Sequence, residues 1–360
     1  MNSFWPGRRV LVTGHTGFKG GWLVLLLHRL GARVSGYALP AEERSLYRQA
    51  GIAELLEAEW LEDLRDESAL RRALLDGRPE VVIHLAARAL VRESYDQPIE
   101  TFDTNILGSA RLLQALRFST STKACVMVTS DKVYENYEWP HPYRESDSLG
   151  GRDPYSASKA AMELVVAAMR QSFFSAGNAT GIATARAGNV IGGGDWAKDR
   201  LLPDIAESLA NDEPMLLRHP EAVRPWQHVL EPLTGYLRLA RCLIERPGEF
   251  REAWNFGPWM QQRISVGEVL SRSRHYWDGV ELRVQRVDDA DKVEHQELNL
   301  DISKSVTRLG WRPRLDFDEA LAWTLGWYRR YYREDGTGSA PRAHCLEQIE
   351  DYLAMGESER

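Results

Sequence analysis

The apolar and polar positions of the chain fall into two alternating periods. Short strand-like runs at 10–12, 34–37, 81–85, 125–129 and 182–186, the one at 81–85 apolar almost throughout, are separated by stretches with apolar residues at helical spacing, at 22–30, 67–75, 102–118 and 155–174. A run apolar at every position suits a parallel strand covered on both faces, and an amphipathic stretch suits the helix that covers it. The repeated alternation predicts an α/β fold built on a doubly wound parallel sheet. After Ala187 the texture changes to loops rich in Gly, Pro and Trp, and eight of the twelve tryptophans lie beyond residue 185.

The first strand ends in Thr13-Gly14-His15-Thr16-Gly17-Phe18-Lys19-Gly20, which leads directly into the first helix. Glycines there let backbone N–H groups approach a pyrophosphate at the positive end of a helix dipole, and the last one lets the helix pack closely on the strand. This predicts a Rossmann-type dinucleotide site. The acid expected about 20 residues on, to bind a ribose 2′-hydroxyl, is missing, because the second strand ends Gly36-Tyr37-Ala38-Leu39-Pro40. By that rule NAD and NADP both stay open, with Arg44 in reach of a 2′-phosphate. Asp63 is readable as an acceptor for the adenine amino group or as a solvated surface acid. The chain then divides into a dinucleotide-binding part at 1–186, a smaller mixed α/β substrate-binding part at 187–335 interleaved with it, and a tail at 336–360. That tail opens with a flexible joint at 335–341 and carries a short amphipathic stretch at 343–353.

Composition narrows the partners. Hydrophobic residues at 43% and charged residues at 27% exclude a disordered chain. The net charge of −7 leaves no diffuse basic field for nucleic acid or anionic lipid, so an anionic ligand must be held by local cations. No apolar run near the start approaches the roughly 18 residues of a membrane span, and no signal peptide precedes it. The cysteines, Cys125, Cys242 and Cys345, are odd in number and far apart, which fits a reducing cytoplasm. No pair of histidines has metal-ligand spacing around a glutamate, so no metal is expected.

Two clusters carry chemistry. Tyr155-Ser156-Ala157-Ser158-Lys159 sets a phenol and an ammonium four apart on one helical face. A lysine there favours the phenolate, which can take a proton from a substrate alcohol while a hydride leaves the same carbon. Thr129-Ser130-Asp131-Lys132 follows a strand whose carboxyl end borders the ligand crevice of an open parallel sheet. Ser130 can bond a sugar hydroxyl, Asp131 can act as acid, and Lys132 as base or charge stabiliser. A base must be neutral, and an ordinary lysine has a pKa of about 10.4, so Lys132 requires burial or a cation such as Lys159 beside it. His84 reads as a packed strand-end histidine.

With Thr13-Gly-x-x-Gly-x-x-Gly20, His84-Leu85-Ala86-Ala87, Asn105 and Tyr155-x-x-x-Lys159 in this order, the chain resembles the extended short-chain dehydrogenase/reductase superfamily over about residues 10–332. Within it, sugar-nucleotide 4,6-dehydratases place a hydroxyl residue, an acid and a base where this chain has Ser130-Asp131-Lys132. Lysine at the third place, with the glycine loop and Gly188-Asn-Val-Ile-Gly-Gly-Gly-Asp-Trp196, is similar to the CDP-glucose 4,6-dehydratase family, whereas the dTDP-glucose and GDP-mannose branches carry glutamate there. The resemblance implies bound NAD, contacted by Gly14 to Gly20, Asp63, Leu64, Leu85, Ala86, Ala87, Asn105, Thr129, Tyr155 and Lys159. It implies a CDP-glucose substrate touched by Ser94, Asn189, Arg200, Arg224 and Asn255. It further implies a homodimer or homotetramer paired through the helices around 103–118 and 155–174, and a supply of deoxysugars for surface polysaccharide. Asp195, Lys198 and Arg200 share a segment readable as a cover over the base or as a solvated loop. Rival readings are a UDP-N-acetylglucosamine 4,6-dehydratase, a sugar-nucleotide 4-epimerase, which needs no acid–base pair, and a nucleotide-sensing protein that kept the fold without the chemistry.

Overall fold

The computed structural model describes residues 3–175, 180–217, 220–259, 264–277, 284–286, 298–333 and 340–356. Seven parallel strands form the central sheet: β1 (Arg9–Thr13), β2 (Arg33–Ala38), β3 (Ala58–Leu61), β4 (Val81–His84), β5 (Ala124–Val128), β6 (Gly181–Ala187) and β7 (Ala253–Phe256). Their spatial order is β7-β6-β5-β4-β1-β2-β3. The order reverses between β1 and β4, which opens the crevice at the carboxyl ends of these strands where ligands bind in such sheets.

Successive strand residues point to opposite faces, and the two cores follow that rule. Val10, Val12, Ile83, Val126 and Val128 pack with Trp22 to Leu27 of α1 (Phe18–Arg29) on one face. Leu11, Val82, Cys125 and Met127 pack on the other face with Leu70 and Leu74 of α2 (Glu67–Gly77) and Leu112 and Leu116 of α4 (Ser109–Leu116). The strand β3 went unread because its residues are only half-buried at the sheet's edge, which removes the apolar run.

The helix expected at 102–118 is three pieces in succession: α3 (Pro98–Phe102), a π-helical turn at Asp103–Gly108, and α4. Such turns insert a residue into the ladder and cluster at functional sites. The catalytic helix α5 (Pro154–Phe173) is followed by α6 (Leu201–Asn211) and α7 (Leu230–Glu245), the latter lying under β5 and β6. Most of the stretch at 335–341 lies outside the described residues. Beyond it, α9 (Ala340–Met355) covers α1 and buries Cys345, Ile349 and Tyr352, after α8 (Phe317–Arg333). Tyr352 donates its hydroxyl to Glu231 of α7, whose other carboxylate oxygen accepts the N–H groups of Arg314 (2.9 Å) and Leu315 (2.8 Å). Burial pushes Glu231 up to about 7.

Candidate active site

The glycine loop has the shape a pyrophosphate requires. Gly14 sits at φ +75°, and a Cβ there would come within 2.7 Å of the Ala86 nitrogen; one on Gly20 would overlap the Gly14 carbonyl. Gly17 has only the Gly14 oxygen, at 3.5 Å, within reach of an added Cβ, so its outer side faces open space. It is the N-cap of α1 and offers no side-chain cap. The first N–H groups of the helix therefore lack intrahelical acceptors and point at the loop's mouth. A dinucleotide phosphate fits this cradle.

The adenosine side departs from the expectation. The His15 ring lies against Gly36, is fully buried, and pairs through Nε2 with Glu59 of β3 at 2.6 Å, while Tyr47 donates to the same carboxylate oxygen. Burial draws His15 below its ordinary pKa. Arg44 does not wait for a 2′-phosphate: it stacks 4.0 Å over Trp196 and bonds Glu207 and the Tyr332 hydroxyl, both at 2.9 Å. Thr16 donates to the Leu39 carbonyl at 3.0 Å, and Leu64 packs on Gly108. The Asp63 carboxylate is held by Arg65 at 2.7 Å, which keeps it below the usual carboxylate range. Thr13 ties β4 to the loop by accepting the Ala86 N–H at 3.2 Å. His84 is packed as expected, bonded to Thr13 (2.7 Å) and Ser109 (3.0 Å), and burial pulls it to about 3.

Helix α5 is fixed at its start. Asp153 accepts the Ser156 N–H at 2.9 Å, Pro154 fills the first turn, and Ser94 accepts the Tyr155 N–H at 3.1 Å while donating to Val91 at 2.6 Å. Ser94, expected to touch substrate, is 1% exposed and its hydroxyl braces the start of this helix. Asn105, on the π-helical turn, donates to the Ser158 hydroxyl (2.8 Å) and the Arg88 carbonyl (3.1 Å) and accepts the Arg88 N–H (2.9 Å). It thus clasps the segment after Ala87 to the helix turn between Tyr155 and Lys159.

The catalytic pairing also differs from the sequence reading. Lys159 donates to the Val128 carbonyl at 3.3 Å, and burial together with the charge of Lys19 lowers it to about 7. Tyr155 is pushed up to about 12 by burial, and the groups that oppose this are the Ser130 hydroxyl and Arg200 rather than Lys159. The cation beside Lys159 is Lys19 and not Lys132. Ser130 donates to Asp131 at 3.0 Å and accepts the Lys132 N–H at 3.2 Å, which closes the short turn Asp131–Val133. Asp131 is 2% exposed, its Oδ2 has no partner among the described residues, and it abuts Gly188, where an added Cβ would overlap it.

Lys19, expected at the cofactor, also faces Asp131, Asp195 and Arg200, and burial and Arg200 lower it to about 8. Phe18 turns toward Gly192. A shallow depression adjoins this cluster, lined by Asn189, Ile191, Asp195, Arg200, Leu202 and Trp226. Asp195 is buried and raised by desolvation, Arg200 is half-buried with a buried Nε, and Lys198 is exposed, so the charged segment divides between pocket and solvent. Arg224 is buried on the short strand Val223–Arg224, two residues before Trp226. Asn255, expected at the substrate, is fully buried: it accepts from Tyr134 (2.6 Å) and donates to the carbonyls of Tyr143 (2.9 Å) and Asp301 (3.1 Å), which leaves no atom for a ligand.

Sequence reasoning missed Lys19 as a member of the reacting cluster, and it missed Glu163. The signal for Glu163 was present, since Tyr155, Lys159 and Glu163 follow one another at four-residue steps along one face of α5.

Residues 11–324 match the family described as GDP-mannose 4,6 dehydratase. A CDP-glucose 4,6-dehydratase of Salmonella typhimurium is 44% identical over 98% of both chains, and a dTDP-glucose 4,6-dehydratase of Streptomyces antibioticus is 31% identical over 69% of this chain and 70% of its own. Among solved structures, the dTDP-glucose 4,6-dehydratase of Streptomyces venezuelae, with NAD bound, superposes with a TM-score of 0.75 at 26% identity, covering 89% of this chain and 97% of that one. A UDP-glucose 4-epimerase of Stenotrophomonas maltophila, at 24% identity and a TM-score of 0.78 over 91% of this chain and 99% of its own, shares the fold. The chain belongs to the GDP-mannose 4,6 dehydratase family of extended short-chain dehydrogenases/reductases.

Proposed function

We propose that the chain is a CDP-glucose 4,6-dehydratase, converting CDP-D-glucose to CDP-4-keto-6-deoxy-D-glucose and water with NAD. One observation carries the reading: Ser130 and Asp131, which open the Ser130-Asp131-Lys132 turn, lie buried beside Tyr155 on the helix that also carries Lys159. Oxidation of an alcohol needs only the phenol, and loss of water needs an acid and a base as well. The 44% identity to the Salmonella typhimurium enzyme over nearly the whole chain supports the nucleotide.

When bound in the Gly14–Gly20 cradle, NAD would supply the acceptor for the C4 hydride and its donor back to C6. Tyr155 takes the proton of the 4-hydroxyl, with the Ser130 hydroxyl and the Arg200 charge easing its ionisation. Lys159 would hold the nicotinamide ribose. The resulting 4-ketone acidifies C5–H; Lys132 serves as the base that takes this proton and later returns one to C5 as C6 receives the hydride, or as the charge that stabilises the enolate while water moves the proton, and Asp131 protonates the departing 6-oxygen from its unpartnered side. Arg224, Asn189 and Arg200 hold the diphosphate, for which a planar guanidinium is suited.

Charged Arg44 is engaged elsewhere, which supports NAD over NADP. The reading includes a cytoplasmic enzyme supplying deoxysugars; no helix among the described residues is long and apolar enough to cross a membrane. It also includes a homodimer or homotetramer, supported by Ile99, Leu107 and Leu164, which stand 51–72% exposed on the adjoining segments of α3, the π-helical turn and α5. The test is incubation with CDP-glucose and NAD in heavy water, read by mass and NMR. The expected product has lost one water and carries deuterium at C5. Unchanged CDP-glucose beside turnover of UDP-N-acetylglucosamine sinks the assignment, and a 4-hydroxyl product without water loss makes it an epimerase.

A further inference from the structure

A buried ion pair behind the active site ties both ends of the acid–base turn to the catalytic helix. Glu163 lies one turn beyond Lys159 on α5, and its partner Arg186 is on β6; the two side chains are 4% and 3% exposed. Glu163 Oε1 accepts from Arg186 Nε at 2.9 Å and from the Thr129 hydroxyl at 2.7 Å. Its Oε2 accepts from Arg186 Nη2 at 3.1 Å and from the Thr184 hydroxyl at 2.7 Å. The remaining arm of Arg186, Nη1, donates to the Tyr134 hydroxyl at 2.9 Å and to the Glu145 carbonyl at 3.3 Å, and its guanidinium stands 4.9 Å over the Tyr134 ring.

Thr129 immediately precedes Ser130-Asp131-Lys132, and Tyr134 closes the turn after Val133. Both flanks are therefore anchored to one pair of charges, which is itself seated on the helix that carries Tyr155 and Lys159. Tyr134 passes the restraint on to Asn255 of β7 at 2.6 Å. Each carboxylate oxygen accepts two hydrogen bonds, as a buried ion pair requires if it is to hold one geometry. A buried pair of this kind is weak evidence for stability on its own, because an apolar pair of similar volume can replace it without loss. The arrangement at hand has a further use: it fixes the distance between two sets of reacting groups that come from different elements.

We infer that Glu163 and Arg186 are positioning residues that hold the elimination groups, Asp131 and Lys132, in register with the oxidation groups, Tyr155 and Lys159. The inference rests on the dehydratase reading. Loosening the pair lets the turn drift while Tyr155 and Lys159 stay on their helix, so water loss suffers more than hydride removal from C4.

The test compares wild type, Glu163→Gln/Arg186→Met and Tyr134→Phe, each with CDP-glucose and NAD. Absorbance of reduced cofactor follows the first step, product mass follows the last, and thermal melting follows stability. The double variant removes both charges together and leaves no unpaired buried ion; Tyr134→Phe keeps the ring and cuts one tie. The expected result is a melting temperature near wild type and cofactor reduction within a few-fold. Product formation falls by about 30- to 100-fold in the double variant, as a displacement of order 1 Å implies, and several-fold in Tyr134→Phe, with reduced cofactor accumulating in both. Parallel loss of both steps, or wild-type product formation in the double variant, overturns the inference. Should the double variant not fold, Tyr134→Phe decides it by the same ratio. Wild type that leaves CDP-glucose unchanged overturns the functional reading, and the positioning role with it.

Discussion

Gly188→Ala isolates the seat of the catalytic acid. A methyl group at this position would overlap Oδ2 and Cγ of Asp131 and stand 2.8 Å from Oδ1, where ordinary contact begins at 3.4 Å. The far oxygen must retreat by about 0.6 Å and the nearer two atoms by more than about 1 Å, since carbon–oxygen contacts are repulsive below that range. Asp131 cannot yield on its other side without breaking its 3.0 Å bond from Ser130. A shift of this size costs about 10²-fold in a step that depends on near-attack geometry. Stopped-flow absorbance with CDP-glucose and NAD should show cofactor reduction close to wild type, followed by water loss about 100-fold slower and a standing level of reduced cofactor. Gly248→Ala is the control, because nothing lies within 4 Å of a Cβ added there. If Gly188→Ala makes product as fast as Gly248→Ala, the placement of the Asp131 carboxylate does not govern dehydration.

Ser94→Ala should lower stability by about 1 kcal/mol through the lost support of the Tyr155 N–H, with kcat reduced and KM for CDP-glucose unchanged. A raised KM at unchanged kcat would restore Ser94 to the substrate. Lys159 and Lys19 fall to about 7 and about 8 in the folded chain. An unfolded lysine titrates near 10.4, so between about pH 7 and pH 9.5 the unfolded chain binds more protons and stability rises with pH. Below the folded values the cost of burying the charges is present in full. Lys159→Met should therefore melt higher than wild type at pH 7 and flatten that rise, and an unchanged slope in the ligand-free protein would contradict the assignment. Leu164→Glu, placing a charge on an apolar side chain 62% exposed on α5, should sediment at half the wild-type mass; sedimentation identical to wild type would remove this face from the subunit contact.

The sheet was readable because β1, β4, β5 and β6 are buried at every or nearly every position, and nothing but a doubly covered parallel strand accounts for such runs. The edge strand β3 lost that signal with its burial. The π-helical turn at Asp103–Gly108 has no periodicity of its own, so a helix was read straight through it. In the site, residues adjacent in sequence to a motif were easy to find, and their partners were not. His15 and Glu59 meet across two strands, and Thr129 and Arg186 meet at Glu163 while Tyr134 joins them through Arg186. For Ser94 and Asn255, position in a motif tells where a residue lies, whereas burial and the bonds of its polar atoms bear on what it has left to offer a ligand.

The packing of α9 on α1 sets the order in which the chain can be completed during synthesis. The apolar side of α1 that α9 covers emerges among the first 30 residues, yet its cover arrives only with residues 340–355. The Glu231 carboxyl likewise waits for Arg314, Leu315 and Tyr352. At roughly 5–20 residues per second, the nascent protein carries an open greasy seam for on the order of tens of seconds. That interval, rather than the finished fold, is where a chaperone has surface to hold, and ribosome-bound chains should remain sensitive to protease at α1 while the released full-length chain is not.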